Sequence, residues 1–329
     1  MSILVCGGAG YIGSHTVYEL VAKGENVVVA DNLQKGHRSA VHPDAELCVG
    51  DLRDRDFLRD LFRKHDISAV IDFAAESLVG ESVVNPLKYY NNNMGGTISL
   101  LEAMNEAGVK MIVFSSTAAT YGEPEKTPIV ETDKTIPTNP YGETKLAVEK
   151  MLKWCDNAYG MKYVVLRYFN VAGAHVSGKI GEDHSPESHL IPLVLQTAAG
   201  VRESISVFGD DYPTADGTCV RDYIHVTDLA DAHILALGKI LNGGASSTYN
   251  LGNGAGFSIK QVIDVCRAVT GKNITTVQAP RRAGDPSTLV ASSEKIISEL
   301  KWAPKYDKLE TIVETAWRWH RDHPKGFGD

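Results

Sequence analysis

The sequence is poor in cysteine, with five in 329 residues, and no two of them form a Cys-x-x-Cys pair. They are Cys6, Cys48, Cys155, Cys219 and Cys266. Scattered cysteines in an odd number are typical of a protein that is kept reduced inside the cell. We therefore expect a cytoplasmic protein with no disulfide framework and no metal site.

Long apolar runs and excess positive charge are also missing. No apolar stretch approaches the roughly 20 residues that cross a membrane, and the opening run at residues 3–6 is too short for the core of a signal peptide. The chain carries 33 Lys and Arg against 41 Asp and Glu, a net charge of −8, and no basic block that would neutralise phosphates. These absences predict that neither a membrane nor a nucleic acid is a partner.

What the sequence does contain is a glycine-rich loop between an apolar strand and a helix. The loop Gly7-Gly8-Ala9-Gly10-Tyr11-Ile12-Gly13 follows the strand at residues 3–6, and a second strand, at 27–30, ends at Asp31. Glycines let the backbone approach a pyrophosphate, and a helix N-terminus offers it free N–H groups. Asp31 can accept hydrogen bonds from ribose hydroxyls and would repel a 2′-phosphate. The pattern predicts a site for NAD rather than NADP.

Strands and helices alternate through the first half of the chain. Further apolar strands are predicted at residues 46–50, 69–73, 111–115 and 163–168. This alternation predicts an α/β fold with a doubly wound parallel (Rossmann) sheet, whose ligands bind at the carboxyl ends of the strands. From about residue 171 loops rich in Gly, Pro, His and Asp take over, which predicts a smaller and less regular C-terminal α/β substrate domain.

A tyrosine and a lysine stand four residues apart in the stretch TNPYGETK. Asn139 is a suitable N-cap and the proline after it suits the first helical position, so Tyr141 and Lys145 share one helical face. The Lys145 ammonium, and the positive ring of bound NAD, would favour the phenolate and lower the pKa of Tyr141. We expect Tyr141 to exchange a proton with a substrate hydroxyl, whose oxygen Thr117 would help to hold.

Cationic and aromatic side chains in the second half suit a nucleoside diphosphate. Arg221 and the pair Arg281-Arg282 are separated guanidinium sites, and guanidinium groups bind phosphate oxygens in bidentate fashion. Phe208 offers an apolar face to a pyrimidine ring, and Asp285 a carboxylate to ribose hydroxyls.

Together these motifs resemble the extended short-chain dehydrogenase/reductase family over essentially the whole chain. In the second half the resemblance rests on LRYFN at 166–170, FGDDYPT at 208–214, VRDYIHV at 220–226 and PRRAGD at 280–285. The stretch from 209 to 226 is far more specific than the short loop motifs and is similar to the family's UDP-sugar 4-epimerases.

The resemblance implies a reversible epimerisation at C4 of UDP-galactose and UDP-glucose. A transient 4-keto sugar would form while NAD takes and returns the hydride, with Tyr141 as acid/base. It also implies a homodimer built on the helices around Ile98 and Leu146. Its domains would be an NAD-binding domain at 1–171, to which about 219–241 returns, and a nucleotide-sugar-binding domain at 172–218 and 242–329.

The residues expected to carry this chemistry fall into three sets. The catalytic set is Tyr141, Lys145 and Thr117. The cofactor-binding set is Gly7, Gly10, Tyr11, Ile12, Gly13, Asp31, Asn32, Leu33, Asp51, Leu52, Phe73, Ala74, Ala75, Asn92, Ser115, Tyr141, Lys145 and Phe169. The substrate-binding set is Thr117, Tyr141, Asn170, His189, Leu190, Phe208, Arg221, Arg282, Asp285 and Leu289.

Three positions depart from the pattern of many epimerases. Ser77 stands where a lysine commonly helps to hold the cofactor, which predicts looser retention of NAD. His189 replaces an asparagine that commonly lines the substrate pocket. Leu289 stands where some relatives carry a tyrosine, and the smaller side chain predicts tolerance of an N-acetyl group on the sugar.

Other activities are weighed on the same residues. A sugar-nucleotide 4,6-dehydratase needs an Asp-Glu pair after the threonine, where this chain has Ala118 and Ala119. A non-catalytic NAD sensor would not need the Tyr141–Lys145 pair, and a net dehydrogenase would release NADH. Epimerases of UDP-N-acetylglucosamine, UDP-xylose or UDP-uronic acids share the mechanism and stay open as alternatives.

Overall fold

Strands and helices alternate along the chain. This computed structural model describes residues 1–282 and 286–328. Within those residues the strands are β1 (Ser2–Cys6), β2 (Val27–Asp31), β3 (Glu46–Val49), β4 (Ile67–Asp72), β5 (Met111–Ser115), β6 (Lys162–Tyr168), β7 (Asn170–Ala172), β8 (Ile205–Phe208), β9 (Val220–Arg221), β10 (Tyr223–His225), β11 (Ser247–Leu251), β12 (Phe257–Ser258), β13 (Thr276–Ala279) and β14 (Thr288–Leu289). The helices are α1 (Tyr11–Ala22), α2 (Arg55–Lys64), α3 (Val79–Val84), α4 (Pro86–Tyr89), α5 (Gly96–Glu106), α6 (Pro140–Tyr159), α7 (Leu190–Ala198), α8 (Val226–Leu241), α9 (Ile259–Thr270), α10 (Glu294–Leu300) and α11 (Leu309–Asp322).

The central sheet has seven parallel strands in the order β11-β6-β5-β4-β1-β2-β3. Its strands are almost continuously apolar because both faces are covered by helices. Val5 of β1 points into a core that contains Leu20 of α1, and its neighbour Leu4 points into a second core that contains Leu100 of α5. The predicted doubly wound parallel fold is confirmed.

The sheet takes its last strand from further along the chain than predicted. The segment expected to return to the NAD-binding domain ended at about residue 241. The last strand of the sheet, β11, lies beyond it at Ser247–Leu251 and pairs in parallel with β6. Helix α8 covers the sheet next to α1 and carries the chain back to this edge. The two short strands before it, Val220–Arg221 and Tyr223–His225, lie outside the large sheet.

A second lobe packs around its own core. Ile191 and Val194 of α7, Val262 of α9 and Ile312 of α11 meet there with little or no exposure. Three small sheets, β10-β7, β12-β9-β14 and β13-β8, surround this core. Predicted site residues on β7, β8, β9 and β14 therefore belong to this less regular part of the protein.

Helix α6 begins as its sequence predicts. The Asn139 side chain accepts a hydrogen bond from the Gly142 N–H at 2.9 Å, and Pro140 occupies the first helical position. The helix ends at Gly160, whose φ of 67° is the left-handed conformation that glycine adopts readily. Tyr141 thus lies in the first turn, beside the end of β5.

Two surface observations bear on assembly and on membranes. Leu146, expected at a dimer interface, is buried inside its own chain, whereas Ile98 is exposed. Val84 and Leu87, on the neighbouring α3 and α4, are 81% and 78% exposed. No helix in the described residues is both long enough and apolar enough to cross a membrane.

Candidate active site

The glycine loop joins β1 to α1 and folds back on itself. Gly7 has a φ of 72°, and the Gly10 N–H donates to the Gly7 carbonyl at 3.2 Å. A Cβ on Gly13 would lie 2.1 Å from the same carbonyl oxygen, so this crossing of helix and loop requires glycine. The Asp31 carboxylate accepts the Ala9 N–H at 3.0 Å, which ties the end of β2 to the loop.

The loop leaves room for an anion at the start of α1. A Cβ on Gly10 would meet only the Gly7 carbonyl oxygen, at 3.4 Å, so the fold itself does not demand glycine there. No side chain among the described residues caps this helix. Its first N–H groups and its positive dipole end are therefore available to a pyrophosphate. The residues present fit NAD.

A cleft follows the carboxyl ends of β1, β2 and β4. Ten of the predicted cofactor-binding residues line it: Gly7, Gly10, Asp31, Asn32, Asp51, Leu52, Phe73, Ala74, Ala75 and Asn92. Gln34, Lys35 and Glu76 line it too and were not in the predicted cofactor-binding set. Their signal in the sequence is position alone, because each follows closely on a residue that was predicted.

Three predicted cofactor residues hold the glycine loop and the end of β2 in place. The Tyr11 hydroxyl donates to the Gly173 carbonyl at 2.6 Å and so joins α1 to the segment after β7. Ile12 packs against the core beneath the loop. Leu33, with a φ of 58°, donates its N–H to the second oxygen of Asp31 at 2.8 Å.

Two further positions concern retention of the cofactor. Phe169 is half-buried between β6 and β7. Ser77 is exposed and lies next to Glu76 of the cleft, whose carboxylate is 3.1 Å from the Lys88 ammonium. The Lys88 ammonium of α4 therefore lies beside the neighbour of Ser77, the position where many epimerases carry a lysine.

Tyr141 is buried, with 8% of its surface exposed. Burial raises the pKa of Tyr141 to about 12, and its hydrogen bond with Thr117 opposes that rise. In this structure, without bound cofactor, burial outweighs the expected lowering of the Tyr141 pKa. Thr117 is itself oriented, since its hydroxyl accepts the Ala119 N–H at 3.1 Å.

Lys145 lies one turn further along α6 and is almost fully buried. Its Nζ donates to the Ser115 carbonyl at 2.8 Å and stands 4.7 Å from the centre of the Phe114 ring. Burial lowers the pKa of Lys145 to about 8, against the attraction of Asp72 and Glu149. The lysine is thus a desolvated cation held at the carboxyl end of β5.

Asp72 and Tyr168 belong to the site although neither was predicted. Burial raises the pKa of Asp72 to about 6, and the charge of Lys145 opposes the rise. The Tyr168 hydroxyl lies 2.7 Å from the Ser115 hydroxyl, and burial together with repulsion from Tyr141 raises the Tyr168 pKa. Asp72 ends β4 and Tyr168 ends β6, and this position at the carboxyl end of a strand is the signal by which the sequence could have identified them.

The predicted substrate residues near β7 and β9 come together by strand pairing. Arg221 is the register partner of Leu289 in β14. Asn170, the first residue of β7, donates its side-chain amide to the Asp222 carbonyl at 3.0 Å. The short strands therefore bring these residues into one part of the second lobe.

Phe208 and Arg282 contact each other directly. The Arg282 guanidinium carbon lies 3.9 Å from the centre of the Phe208 ring. The aromatic face assigned to a pyrimidine is thus covered by the arginine assigned to phosphate, a pairing favoured by cation–π attraction. Asp285 lies outside the described residues.

His189 and Leu190 lie at the start of α7. Leu190 packs against the core of the second lobe. His189 is the N-cap residue, but its ring nitrogen Nδ1 faces two carboxylates rather than the helix, at 2.7 Å from Glu182 and 3.2 Å from Glu187.

Comparison with known proteins agrees with this geometry. The NAD dependent epimerase/dehydratase family matches residues 3–252. The UDP-glucose 4-epimerase of Lacticaseibacillus casei is 60% identical over 329 residues, which cover 100% of this chain and 99% of the relative. A crystal structure of a UDP-glucose 4-epimerase is 58% identical, with a TM-score of 0.98 and 99% of both chains covered. The Bifidobacterium longum UDP-glucose 4-epimerase, solved with NAD+ and UDP, is 38% identical with a TM-score of 0.93, covering 99% of this chain and 100% of its own.

These matches span the glycine loop, the Tyr141–Lys145 pair and the second lobe, and they confirm the family expected from the sequence. The chain belongs to the NAD dependent epimerase/dehydratase family and is an NAD-dependent epimerase, an enzyme of the isomerase class.

Proposed function

We propose that the enzyme interconverts UDP-galactose and UDP-glucose by inverting C4 of the hexose. The observation that carries the proposal is the buried Tyr141 hydroxyl, hydrogen-bonded to Thr117 beside a cleft that suits a dinucleotide. The substrate is inferred from the relatives, since a protein that is 60% identical over the whole length is a UDP-glucose 4-epimerase.

In this proposal Tyr141 removes the proton of the 4-hydroxyl and later returns it to the same oxygen, once the configuration at C4 has been inverted. Bound NAD supplies an acceptor and donor of hydride for C4. Thr117 holds the same sugar oxygen, and its orientation by Ala119 supports that role. A 4-keto sugar is the species that Tyr141 and Thr117 hold between the two proton transfers.

Lys145 brings a buried positive charge to the site. Its ammonium is fixed on the Ser115 carbonyl and attracted by Asp72, so it stays at the edge where the nicotinamide ribose would lie. We propose that it holds ribose hydroxyls and that its charge, added to that of the oxidised nicotinamide, favours the Tyr141 phenolate.

The second lobe holds the UDP moiety while the hexose stays free to turn. We propose that Arg221 and Arg282 bind the two phosphates, since guanidinium groups suit phosphate oxygens. The contact between Arg282 and Phe208 supports a site in which uracil and guanidinium share one aromatic ring. Leu289 of β14 pairs with Arg221 of β9. Its side chain is smaller than the tyrosine of some relatives, which supports acceptance of N-acetylated hexoses as well.

We also propose a homodimer. The apolar side chains Val83, Val84, Leu87 and Ile98 are exposed on three consecutive helices, α3 to α5. Exposed apolar side chains grouped in this way are typical of a surface that is covered by another protein. Sedimentation velocity measures the assembly, and a monomer at micromolar concentration contradicts it.

The test of function is to incubate the purified protein with UDP-galactose, without added NAD, and to separate the products. UDP-glucose at the equilibrium ratio supports both the epimerase and the retention of NAD. Product that appears only with added NAD supports the chemistry and assigns the weak grip to Ser77. A lack of conversion in both cases overturns the hexose assignment and directs the test to UDP-N-acetylhexosamines, UDP-xylose and UDP-uronic acids.

A further inference from the structure

Four potential metal ligands converge in the loop before α7, and one of them, His189, was expected to line the substrate pocket. They are Glu182, His184, Glu187 and His189, and one donor atom from each lies within 4.8 Å of the others. Their spacing, Glu-x-His-x-x-Glu-x-His, was not recognised in the sequence, from which no metal site was expected.

The histidine–carboxylate distances in this cluster lie on either side of the spacing expected around a tetrahedral ion. The Nδ1 atom of His184 lies 3.2 Å from Glu182 and 3.7 Å from Glu187. The Nδ1 atom of His189 lies 2.7 Å and 3.2 Å from the same two carboxylates. Zinc bonds of 2.0–2.1 Å in a tetrahedron place neighbouring ligand atoms about 3.3 Å apart.

One contact of the cluster, between Glu182 and His184, lacks hydrogen-bond geometry. Oε1 of Glu182 and Nδ1 of His184 are buried and have no hydrogen-bond partner among the described residues, despite their proximity. Glu182 is only 4% exposed. A buried carboxylate and a ring nitrogen that face each other without hydrogen-bond geometry are the arrangement of two ligands that share an ion.

Groups around the cluster hold its ligands in place. One oxygen of Glu187 accepts the N–H groups of Ser188 and His189, at 2.7 and 2.8 Å. The backbone carbonyl of Glu182 accepts the indole N–H of Trp319 at 3.3 Å. The loop is therefore fixed before any ion binds, as a metal site requires.

We propose that Glu182, His184, Glu187 and His189 form a structural zinc site. Two imidazoles and two carboxylates are ligand types that zinc accepts in a four-coordinate arrangement. Two neutral histidines, two carboxylates and one Zn²⁺ give a neutral site, buried at Glu182 and open to solvent at His189. The ion clamps the segment between the glycine loop, where the Tyr11 ring lies 5.9 Å from that of His184, and the first turn of α7.

The test uses tag-free protein produced with zinc in the medium. Elemental analysis is expected to find about one zinc per chain, and chelation is expected to lower Tm until zinc, but not magnesium, is returned. His184→Ala is expected to abolish zinc retention. His65→Ala is the matched control, because it alters the other described group of potential ligands, Glu46, Cys48 and His65, and should leave the zinc in place.

A crystal of the wild-type protein keeps the test decisive if His184→Ala does not fold. Anomalous scattering at the zinc absorption edge should place one ion between the four side chains. The proposal is overturned if zinc-supplied protein holds no zinc, if the ion lies elsewhere, or if His65→Ala loses it while His184→Ala keeps it. In those cases the cluster is an ion-pair network of two protonated histidines and two carboxylates.

Discussion

Glu149 of α6 and Arg167 of β6 form a buried ion pair, with 2.5 Å between Oε2 and Nη2. The other oxygen of Glu149 accepts the Ser116 hydroxyl at 2.5 Å, and Arg167 donates to the Tyr121 hydroxyl at 2.8 Å. Ser116 directly precedes Thr117, and Glu149 lies one turn beyond Lys145. This network therefore fixes the helix of the catalytic pair to the strand end that carries Thr117.

Removing one charge of this pair leaves the other buried without compensation. We expect Glu149→Gln to lower the free energy of unfolding by about 3–5 kcal/mol. Urea denaturation of the cofactor-loaded protein measures the loss. Glu143→Gln, an exposed carboxylate of the same helix, is the control and should change stability by less than about 1 kcal/mol. Equal losses in the two variants would contradict the assignment.

The pKa of Tyr141 should depend on the redox state of the cofactor. Burial holds it at about 12, and the positive ring of NAD+ stabilises the phenolate whereas the neutral ring of NADH does not. We expect a lower Tyr141 pKa with NAD+ and loss of turnover as the pH falls below that value. Phenolate absorbance of wild type minus Tyr141→Phe measures the pKa. An unchanged pKa with NAD+ would remove the tyrosine from its acid/base role.

Lys145 should make stability rise with pH in protein stripped of cofactor. Its folded pKa of about 8 lies below the unfolded value of 10.5, so between these values the unfolded chain binds the extra proton. The free energy of unfolding therefore increases from pH 8 to pH 10.5, by at most about 3.4 kcal/mol. Denaturation at several pH values should show this slope relative to Lys145→Met. Lys150→Met, at an exposed position on α6, should keep the wild-type slope.

Two glycines of the loop should respond differently to alanine. Gly10→Ala has room for its methyl group in the protein alone but places it where a pyrophosphate must approach. We expect a normal Tm without cofactor and at least about a tenfold weaker affinity for NAD. Gly13→Ala forces a clash with the Gly7 carbonyl and should lower stability itself, by roughly 1–3 kcal/mol. Calorimetric titration and thermal melts separate the two effects.

Leu289 should control the size of the accepted sugar. We expect Leu289→Tyr to reduce kcat/KM for UDP-N-acetylgalactosamine by roughly tenfold or more and to affect UDP-galactose much less. Leu289→Met, of similar volume, should retain both activities. If the wild-type enzyme converts UDP-galactose well and UDP-N-acetylgalactosamine undetectably, the predicted tolerance is wrong.

The Rossmann half was predictable because its signals are local. The strand predicted at residues 111–115 is β5 as observed, since a buried parallel strand is an uninterrupted apolar run bounded by polar residues. The start of α6 was predictable from Asn139 and Pro140 for the same reason. Periodicity and capping depend on neighbours in sequence, and a single chain displays both.

The remaining features depend on contacts between distant segments. Ser247–Leu251, with the sequence STYNL, has no apolar run and becomes a strand only because it pairs with β6. The pKa of Tyr141 follows from burial, which depends on the whole tertiary structure. The contact of Arg282 with Phe208 likewise joins residues far apart in the chain.

The position of β11 has a consequence for the order in which the protein matures during translation. Until residue 251 has left the ribosome, β6 presents a bare strand edge, and unpaired edges of this kind invite aggregation. By that point α7 and β7 to β10 have been synthesised, whereas α9, α11 and β12 to β14 of the second lobe are still to come. Nascent chains of this enzyme therefore cannot complete the large sheet until the first part of the second lobe has been made, and the rest of that lobe is added afterwards.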